Sequence, residues 1–275
     1  MLDLLFANLP WAALALAAVL CLVVSALGFI RTDWFISIGY GFSIAAEAVL
    51  FPLLYPGALS LWVIAQLLLL AAHGLRLGGY LVSRERSPSF GRELEASRER
   101  SRSIAGPVKV AIWISVALLY VTMASPGLFN LVAASNGASL WSLPLGVIVM
   151  LAGLVLEASA DAQKARLKAI NPKGFVSSGL YGVVRCPNYF GEMVFWFGGF
   201  VAGLSAYTSV AAWLIAAIGF VCIELIMLGS ARRLELKQAE RYGSDPAYQT
   251  YVRRVPILIP GLPLYSLRQL RVYLG

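Results

Sequence analysis

The stretch "GLYGVVRCPNYFGE" at residues 179–192 runs directly into the apolar stretch "MVFWFGGFVAG" at residues 193–203. The second stretch is typical of the interior of a membrane helix, because it is apolar and carries no charged residue. The polar residues Arg185, Asn188 and Glu192 therefore lie at the start of a hydrophobic segment. Ionisable side chains at membrane depth are energetically costly, so their presence there indicates a functional site.

The whole chain has the composition of a membrane protein. Its 275 residues are 59% hydrophobic and only 13% charged, whereas about 25% of the residues of a soluble domain are charged. Several apolar runs reach the length of about 20 residues that a membrane-spanning helix needs. Because these runs are continuous and do not alternate, they exclude a membrane β-barrel. The sequence predicts an all-α polytopic membrane protein.

The apolar runs predict about seven transmembrane helices within a single integral membrane domain over residues 1–275. The polar segment 83–107 is expected to be a cytoplasmic loop, either mobile or acting as a lid over a ligand. The chain after the last helix, residues 231–275, is expected to be a cytoplasmic segment. The predicted helices cover residues 9–30, 34–55, 59–82, 108–125, 140–162, 187–205 and 208–230.

Lysine and arginine residues fall in alternate connections between these helices. The connections at residues 125–139 and 205–209 contain neither residue type. By the positive-inside rule, the N-terminus lies outside and the C-terminus lies in the cytoplasm. Apart from Arg76, the basic residues behind the net charge of +8 lie in the connections on the cytoplasmic side, between apolar helices, so nucleic acid is not an expected partner. Membrane lipid is an expected partner.

The cysteines and the single histidine limit the chemistry. Cys21, Cys186 and Cys222 have neither paired nor metal-type spacing, and His73 is the only histidine. We therefore expect no metal site and no disulfide framework. The N-terminus lacks the basic region of a signal peptide, so the first apolar run is expected to stay as a membrane helix. The expected location is a bacterial inner membrane, or the endoplasmic reticulum for a eukaryotic source. The sequence is compatible with a monomer.

Polar residues on the third predicted helix share one face. His73, Arg76 and Tyr80 in "HGLRLGGY" are spaced i, i+3 and i+7. Glycines in the same stretch allow close approach of either a ligand or another helix. In the alternative interpretation, Arg76 snorkels to the membrane surface and His73 hydrogen-bonds a neighbouring helix.

A second polar stripe occurs in "LEASADAQKARLK" on the fifth predicted helix. Glu157, Asp161, Lys164 and Lys168 are spaced i, i+4, i+7 and i+11. In one interpretation these acids and bases pair with one another at the end of the helix. In the other, the acids bind hydroxyl or amide groups of a polar ligand and the lysines bind its phosphates.

The opening motif has the features of an anion-binding helix start. Pro187 suits the first position of a helix, and Asn188 and Glu192 are spaced i, i+4 beside Arg185. The exposed N–H groups of a helix start, next to an arginine, bind anions. These polar groups all lie near the cytoplasmic ends of their helices, which indicates a large anionic ligand such as a nucleotide cofactor. The soluble dinucleotide-binding and phosphate-loop motifs are absent from the sequence.

The motif resembles the R-x-P-N-Y-x-G-E signature of the steroid 5-alpha-reductase superfamily. The stretches "EASADAQK" and "GLRLGGYL" and the tail from residue 232 onward are also similar to this group. Members are seven-span enzymes that hold NADPH between their helices. They transfer its hydride to a carbon–carbon double bond conjugated to a ketone in a lipophilic, steroid- or isoprenoid-like substrate.

The resemblance implies roles for eight residues at the cofactor. Asn188 and Glu192 would contact the nicotinamide end of NADPH, and Lys168 would meet the 2′-phosphate. Lys173 and Arg185 are weaker counterparts. The diphosphate and ribose region would be contacted by Arg76, Glu157 and Asp161.

The catalytic residues of the superfamily match less well. Steroid-reducing members polarise the ketone with a glutamate in the second span and a tyrosine in the third. Here the glutamate position falls near Ser37–Ile38, and the tyrosine position falls at or next to His73. Candidate proton donors are therefore His73, Tyr40, Tyr80 and Glu47, the last of which lies about two and a half turns further along the second span.

Two other functions fit parts of the pattern. Isoprenylcysteine carboxyl methyltransferases share the R-x-P-x-Y element and bind S-adenosylmethionine, but they carry a Glu-Glu pair where this chain has the isolated Glu224 and Glu235. A non-enzymatic lipid-binding protein or transporter is the other alternative. Two matching halves with discontinuous helices would indicate transport, and the sequence shows none.

Overall fold

Uninterrupted apolar stretches form helices in this chain because a backbone without water must bond to itself. The computed structural model describes residues 9–85 and 91–270, and it has no β-strand in those ranges. Short 3₁₀ segments occupy Ala26–Phe29, Thr32–Trp34 and Pro56–Ala58. The α-helices are α1 Trp11–Ser25, α2 Ile38–Leu54, α3 Leu61–Glu85, α4 Gly91–Ser103, α5 Gly106–Ser135, α6 Leu143–Ile170, α7 Leu180–Val183, α8 Pro187–Ala202, α9 Val210–Tyr242 and α10 Pro246–Arg254.

Six helical segments are long and apolar enough to cross a membrane. They are Trp11–Phe29, Thr32–Leu54, Leu61–Glu85, Gly106–Ser135, Leu143–Ile170 and Val210–Tyr242. Large apolar side chains on them face outward, as lipid-facing residues do. The prediction of an all-α polytopic membrane protein is confirmed. Helix α8 coincides with the sixth predicted span but has only 16 residues, so the count of seven spans and the orientation stay predictions.

Several helices extend beyond the segments that the sequence predicts. Helix α5 continues to Ser135 through Pro126, where the sequence suggests a connection. Proline removes one backbone hydrogen bond, but every residue from Met123 to Leu131 is buried, and this packing holds the helix together. Helix α9 continues to Tyr242, into the segment predicted to be a cytoplasmic tail.

The segment 83–107 is mostly helical and is not an open loop. Helix α3 extends to Glu85, and α4 covers Gly91–Ser103. Residues 86–90 lie outside the described residues, and so do residues 271–275 of the predicted C-terminal segment. The proposed role of 83–107 as a lid stays a prediction.

The chain divides into two compact units. The first comprises Met1–Val147 and Gly199–Phe220, and the second comprises Ile148–Gly198 and Val221–Gly275. The prediction of one integral membrane domain over residues 1–275 stays a prediction.

Glycines bring α2 and α3 into close contact in the first unit. A Cβ atom on Gly41 would lie 2.7 Å from the backbone nitrogen of Gly78, and one on Gly74 would overlap the carbonyl oxygen of Gly41. Small residues allow two membrane helices to approach this closely. The sequence predicts that either a ligand or another helix approaches these glycines. At Gly74 and Gly78, the approaching group is helix α2.

A similar crossing joins α6 and α8 in the second unit. A Cβ atom on Gly191 would lie 2.6 Å from the backbone nitrogen of Glu157, and one on Gly153 would overlap the backbone of Phe195. The crossing therefore fixes the position of α8 against α6 at the level of Glu157.

Candidate functional site

Tyr40 and His73 form a buried polar pair in the first unit. The Tyr40 hydroxyl lies 3.2 Å from Nε2 of His73, and the two side chains are 6% and 0% exposed. Each residue immediately precedes a glycine of the crossing, Gly41 on α2 and Gly74 on α3. The close approach of the two backbones therefore brings a phenol and an imidazole within hydrogen-bonding distance.

The ring of Tyr40 is held by a second tyrosine. Tyr120 of α5 stacks on it, with 5.5 Å between ring centroids. The Tyr120 hydroxyl donates to the backbone carbonyl of Phe35. Because Tyr120 is itself anchored, Tyr40 can turn little about its side-chain bonds, and its hydroxyl stays directed at His73.

Glu47 lies on the same side of α2 as Tyr40 but further along the helix. Seven residues separate the two, a rise of about 10 Å. The Glu47 side chain is fully buried. Among the described residues, neither of its carboxylate oxygens has a hydrogen-bond partner, and neither does the hydroxyl of Ser43, one turn earlier. The thiol of Cys21 on α1 interacts with the Glu47 carboxyl.

Burial falls along α3 from His73 toward the end of the helix. Arg76 is half-buried, and Tyr80 is 45% exposed. Gly79 faces open space. His73, Arg76 and Tyr80 share a face as predicted, but only His73 lies in a fully buried environment.

The opening motif forms the start of α8 in the second unit. Pro187 is the first residue of the helix, as predicted. Glu192 is buried, and Asn188, one turn earlier, is half-buried. Glu157 of α6 is 3% exposed and packs against α8 at Gly191. The structure therefore places Glu157 beside the turn that carries Asn188 and Glu192.

Asp161 and Lys173 lie nearer the surface. Asp161, one turn beyond Glu157, is half-buried, and Lys173 is exposed in the connection after α6. Neither position contradicts the predicted role.

Lys168 is used by the protein itself. Its ammonium group donates to the carbonyls of Gly174 at 2.6 Å and Pro172 at 3.3 Å, and to the hydroxyl of Tyr242 at 3.0 Å. An ammonium has three donors, and these contacts employ all of them. This geometry favours a structural role for Lys168, closing the turn after α6, over the predicted contact with a 2′-phosphate.

Arg185 is also engaged within the protein. Its guanidinium is 3.5 Å from Oε1 of Glu235 and bonds the carbonyl of Tyr265. Oε2 of Glu235 accepts a hydrogen bond of 2.8 Å from the backbone N–H of Leu267. Arg185 and Glu235 are both buried. The arginine that the sequence assigns to a ligand anion therefore ties the start of α8 to the C-terminal segment.

Two backbone hydrogen bonds strengthen this attachment. The N–H of Arg185 donates to the carbonyl of Pro256 at 2.9 Å, and the N–H of Cys186 donates to Ile257 at 3.0 Å. Burial raises the pKa of the Cys186 thiol to about 12. The C-terminal segment thus covers the turn that leads into α8.

Residues 23–255 match the family described as "Protein of unknown function (DUF1295)". This match covers most of the chain. The chain belongs to the DUF1295 family.

Two curated relatives of this DUF1295 chain carry an enzyme name. Steroid 5-alpha-reductase DET2 of Arabidopsis thaliana is 34% identical over 82 residues, which are 29% of this chain and 28% of the relative. Steroid 5-alpha-reductase DET2 of Gossypium hirsutum is 30% identical over 99 residues, 34% of this chain and 35% of the relative. The alignments thus span about a third or less of these relatives. No solved structure matches the chain. The predicted resemblance to the steroid 5-alpha-reductase superfamily is confirmed.

The sequence interpretation assigns no role to Glu224 of the DUF1295 chain. It lies in the middle of α9, close enough to Glu192 for the two carboxylates to interact. The feature of the sequence that could have identified Glu224 is its charge within an otherwise apolar run. Among the described residues, no group of three or more histidine, cysteine, aspartate or glutamate side chains could hold a metal ion.

Proposed function

We propose that this protein is an NADPH-dependent membrane reductase that transfers a hydride to a carbon–carbon double bond conjugated to a ketone in a lipophilic, steroid- or isoprenoid-like substrate. The observation that carries the proposal is the buried Tyr40–His73 hydrogen bond. The names of the two curated relatives support it. The pair lies on the second and third spanning helices, the two helices from which the resemblance expects the polarising residues.

The pair has the chemistry that the ketone requires. Hydride addition to an enone builds negative charge on the ketone oxygen, and a buried proton donor at that oxygen lowers the barrier. In this proposal Tyr40 donates its hydroxyl proton toward the ketone, and His73 orients the phenol. Steroid-reducing members have a glutamate on the second span and a tyrosine on the third. In this proposal, Tyr40 takes the first of these places and His73 the second.

The other candidate donors suit this role less well. Glu47 makes no hydrogen bond to Tyr40 or His73, so in this proposal it does not act as the direct donor. Tyr80 is 45% exposed, and an exposed phenol interacts with a developing charge less strongly than a buried one.

The second unit carries residues that fit the cofactor. When bound, NADPH supplies the hydride. Asn188 offers amide donors and an acceptor, and Glu157 and Glu192 are buried acceptors packed at one glycine crossing. These hydrogen-bond donors and acceptors match the carboxamide and the ribose hydroxyls of NADPH. Asp161 lies one turn further along α6.

The cations divide into two groups. Lys173, exposed in the second unit, is the candidate for a phosphate contact there, and the phosphate contact of Arg76 stays a prediction. Lys168 and Arg185 act indirectly in this proposal, by shaping the turns that bear the ligand-binding residues. The partners are therefore the cofactor, a lipophilic small molecule and membrane lipid.

Cofactor binding is tested with the purified protein in detergent. NADPH should raise the melting temperature, because a ligand that binds only the folded state stabilises it. S-adenosylmethionine should have no effect. A shift with S-adenosylmethionine alone would move the assignment to the methyltransferase alternative, and no shift with either would favour a lipid-binding protein.

Two further measurements complete the test. Oxidation of NADPH should depend on an added enone steroid and give one saturated ketone for each NADPH. Asn188→Ala should weaken NADPH binding by about tenfold, the worth of one good hydrogen bond, with the melting temperature of the ligand-free protein unchanged. Unchanged affinity in this variant would make the start of α8 a structural feature only.

A further inference from the structure

An apolar stretch follows α10 in the second unit. It is "VPILIPGLPLY" over residues 255–265, and it holds no charged residue. Ile257 and Leu258 are buried in the hydrophobic cluster against α9. The later part of the stretch faces outward, since Leu262 is 46% exposed and Tyr265 is 42% exposed. The same short stretch therefore completes the core of the second unit and presents apolar side chains at its surface.

A tight turn forms the end of this stretch. The N–H of Leu262 donates to the carbonyl of Ile259 at 3.3 Å, so Pro260 and Gly261 occupy the two central positions of a β-turn. Gly261 has a φ of 77°. A type II turn requires positive φ at its second central residue and favours proline at the first. We call residues 259–265 the apolar tip. Because its backbone is already fixed, the tip has little conformational freedom to lose on binding.

The base of the apolar tip is bonded to the start of α8. The N–H of Ile257 donates to the carbonyl of Leu264 across the turn at 2.8 Å, and the carbonyl of Ile257 accepts from the N–H of Cys186 at 3.0 Å. Cys186 directly precedes Pro187, the first residue of α8. The apolar tip is therefore attached beside the point at which the sequence predicts that the chain enters the membrane.

Cations flank the apolar tip on both sides in the sequence. Arg253 and Arg254 precede it and Arg268 follows it, and all three are exposed. Residues 246–270 contain these three arginines and neither aspartate nor glutamate. Arg268 also lies 3.7 Å from Glu235, so Arg253 and Arg254 are the better placed to meet an outside anion. Basic residues close to a membrane surface attract anionic headgroups.

We propose that the apolar tip inserts into the membrane interface beside the start of α8, and that the flanking arginines bind the headgroups of anionic phospholipids. Pro260, Leu262 and Pro263, all exposed, meet the apolar part of the interface. Tyr265 lies at the headgroup level, where tyrosine is enriched. Exposed apolar patches with a polar rim mark surfaces for proteins or membranes.

The membrane is the occupant that this surface fits. The spanning helices already place a bilayer around the chain, and the charge of the flanking arginines is complementary to anionic lipid. A second copy of the chain would bring the same arginines together, and like charges repel. The apolar tip contains none of the residues proposed for NADPH or for the substrate, so this inference does not depend on the proposed function.

A nitroxide label at Leu262→Cys tests the insertion, in protein reconstituted into nanodiscs of phosphatidylcholine and phosphatidylglycerol. The background carries Cys222→Ser, because the other native cysteines, Cys21 and Cys186, are buried. The label should relax faster with oxygen, which concentrates in lipid, than with a water-soluble nickel complex. Glu240→Cys is the matched control, because Glu240 is exposed near the end of α9, and its label should show the reverse.

Two outcomes of this measurement overturn the insertion. In the first, the Leu262→Cys label is as accessible to the nickel complex as the control label. In the second, it is shielded from both reagents and shows dipolar broadening from a second label, which would put another copy of the chain on the tip.

The headgroup contact is tested by native mass spectrometry with phosphatidylglycerol added to the protein in detergent. Replacing both Arg253 and Arg254 by glutamine should reduce the lipid-bound population by at least about fivefold, the worth of one basic residue at an anionic surface. Replacing Arg98 and Arg100, exposed on α4, removes the same charge elsewhere and should leave the population near that of the wild type. Equal losses from the two pairs, or no loss from the first, would overturn the headgroup contact.

Discussion

The Tyr40 hydroxyl on α2 lies 3.2 Å from Nε2 of His73 on α3. Tyr40 is the proposed source of the proton for the ketone, and His73 orients it. Tyr40→Phe removes the hydroxyl and keeps the ring that stacks on Tyr120. We expect kcat to fall by about 10²- to 10⁴-fold, the usual contribution of a positioned general acid. Stopped-flow oxidation of NADPH measures the change.

The fold and the cofactor site should be intact in that variant. Its melting temperature and its NADPH dissociation constant should therefore match those of the wild type. If Tyr40→Phe turns over normally, the proton comes from another group, and Tyr80 is the next candidate.

The crossing of α2 and α3 predicts a contrast between two glycines of one helix. Gly74→Ala would place a methyl group on the carbonyl oxygen of Gly41, and backbone atoms cannot move aside as side chains can. We expect a loss of about 1–3 kcal/mol in the free energy of unfolding and a loss of turnover, because Tyr40 and His73 are separated. Thermal unfolding and enone reduction measure the two effects.

Gly79→Ala is the matched control for that prediction. A Cβ atom there meets nothing within 4 Å, and alanine has the better helix propensity by up to about 1 kcal/mol. The variant should be as stable as the wild type or slightly more so. Equal destabilisation by the two substitutions would contradict the close crossing.

Two lysines near the end of α6 should behave differently on removal of their charge. Lys168→Met removes the three hydrogen bonds that close the turn through Gly174 and Tyr242, and we expect it to lower stability by about 1–3 kcal/mol. Lys173→Met alters an exposed side chain and should leave stability unchanged. It should reduce the preference for NADPH over NADH if Lys173 contacts the 2′-phosphate, the one group that distinguishes the two cofactors. If Lys168→Met instead reduced the preference for NADPH without lowering stability, the result would support a contact between Lys168 and the phosphate.

The C-terminal segment should protect Cys186 from thiol reagents. Because burial raises the pKa of Cys186 to about 12, very little of the thiol is ionised at pH 8, and the thiolate is the reactive form. Reaction with a maleimide at pH 8 should therefore be slow. It should accelerate as the pH rises, because a raised thiol pKa moves ionisation to higher pH.

Loss of the Glu235 charge should release that protection. Glu235→Gln leaves the buried Arg185 without its counter-ion, a change that typically costs about 3–5 kcal/mol. Local opening of residues 255–268 would then expose Cys186, and its labelling, followed by peptide mass spectrometry, should accelerate at least tenfold. The exposed Glu240→Gln on the same helix should label like the wild type. Slow labelling in Glu235→Gln would contradict the role of the ion pair.

The fold was largely predictable from the sequence because lipid imposes a simple rule on an apolar run. All of the predicted spans coincide with helices, and their boundaries fail where tertiary packing decides. Pro126 suggests an end to α5, yet the buried residues around it carry the helix to Ser135. The polar composition of Gly91–Ser103 suggests a loop, but the segment forms helix α4, in which Ser97 and Ser101 are buried on one face.

The site was predictable in its residue types but not in its pairings. His73 and Tyr40 are recognisable as polar residues in apolar helices, but only the glycine crossing brings them together. Arg185 and Lys168 have the charge that phosphate requires, but periodicity cannot reveal that Glu235 lies beside Arg185 or that the carbonyl of Gly174 accepts a hydrogen bond from Lys168. Glu235 belongs to a distant segment, which the local motif around Arg185 does not contain.

The length of α8 has a consequence for the choice of lipid. Sixteen residues rise only about 24 Å, against a hydrocarbon thickness of about 30 Å. As the sixth predicted span, a helix this short would create a hydrophobic mismatch, which the bilayer would relieve by thinning around it. Asn188 and Glu192 in its first two turns would then be within reach of water even though they lie on an apolar helix. Short-chain lipids should accordingly suit this protein better than long-chain ones during reconstitution.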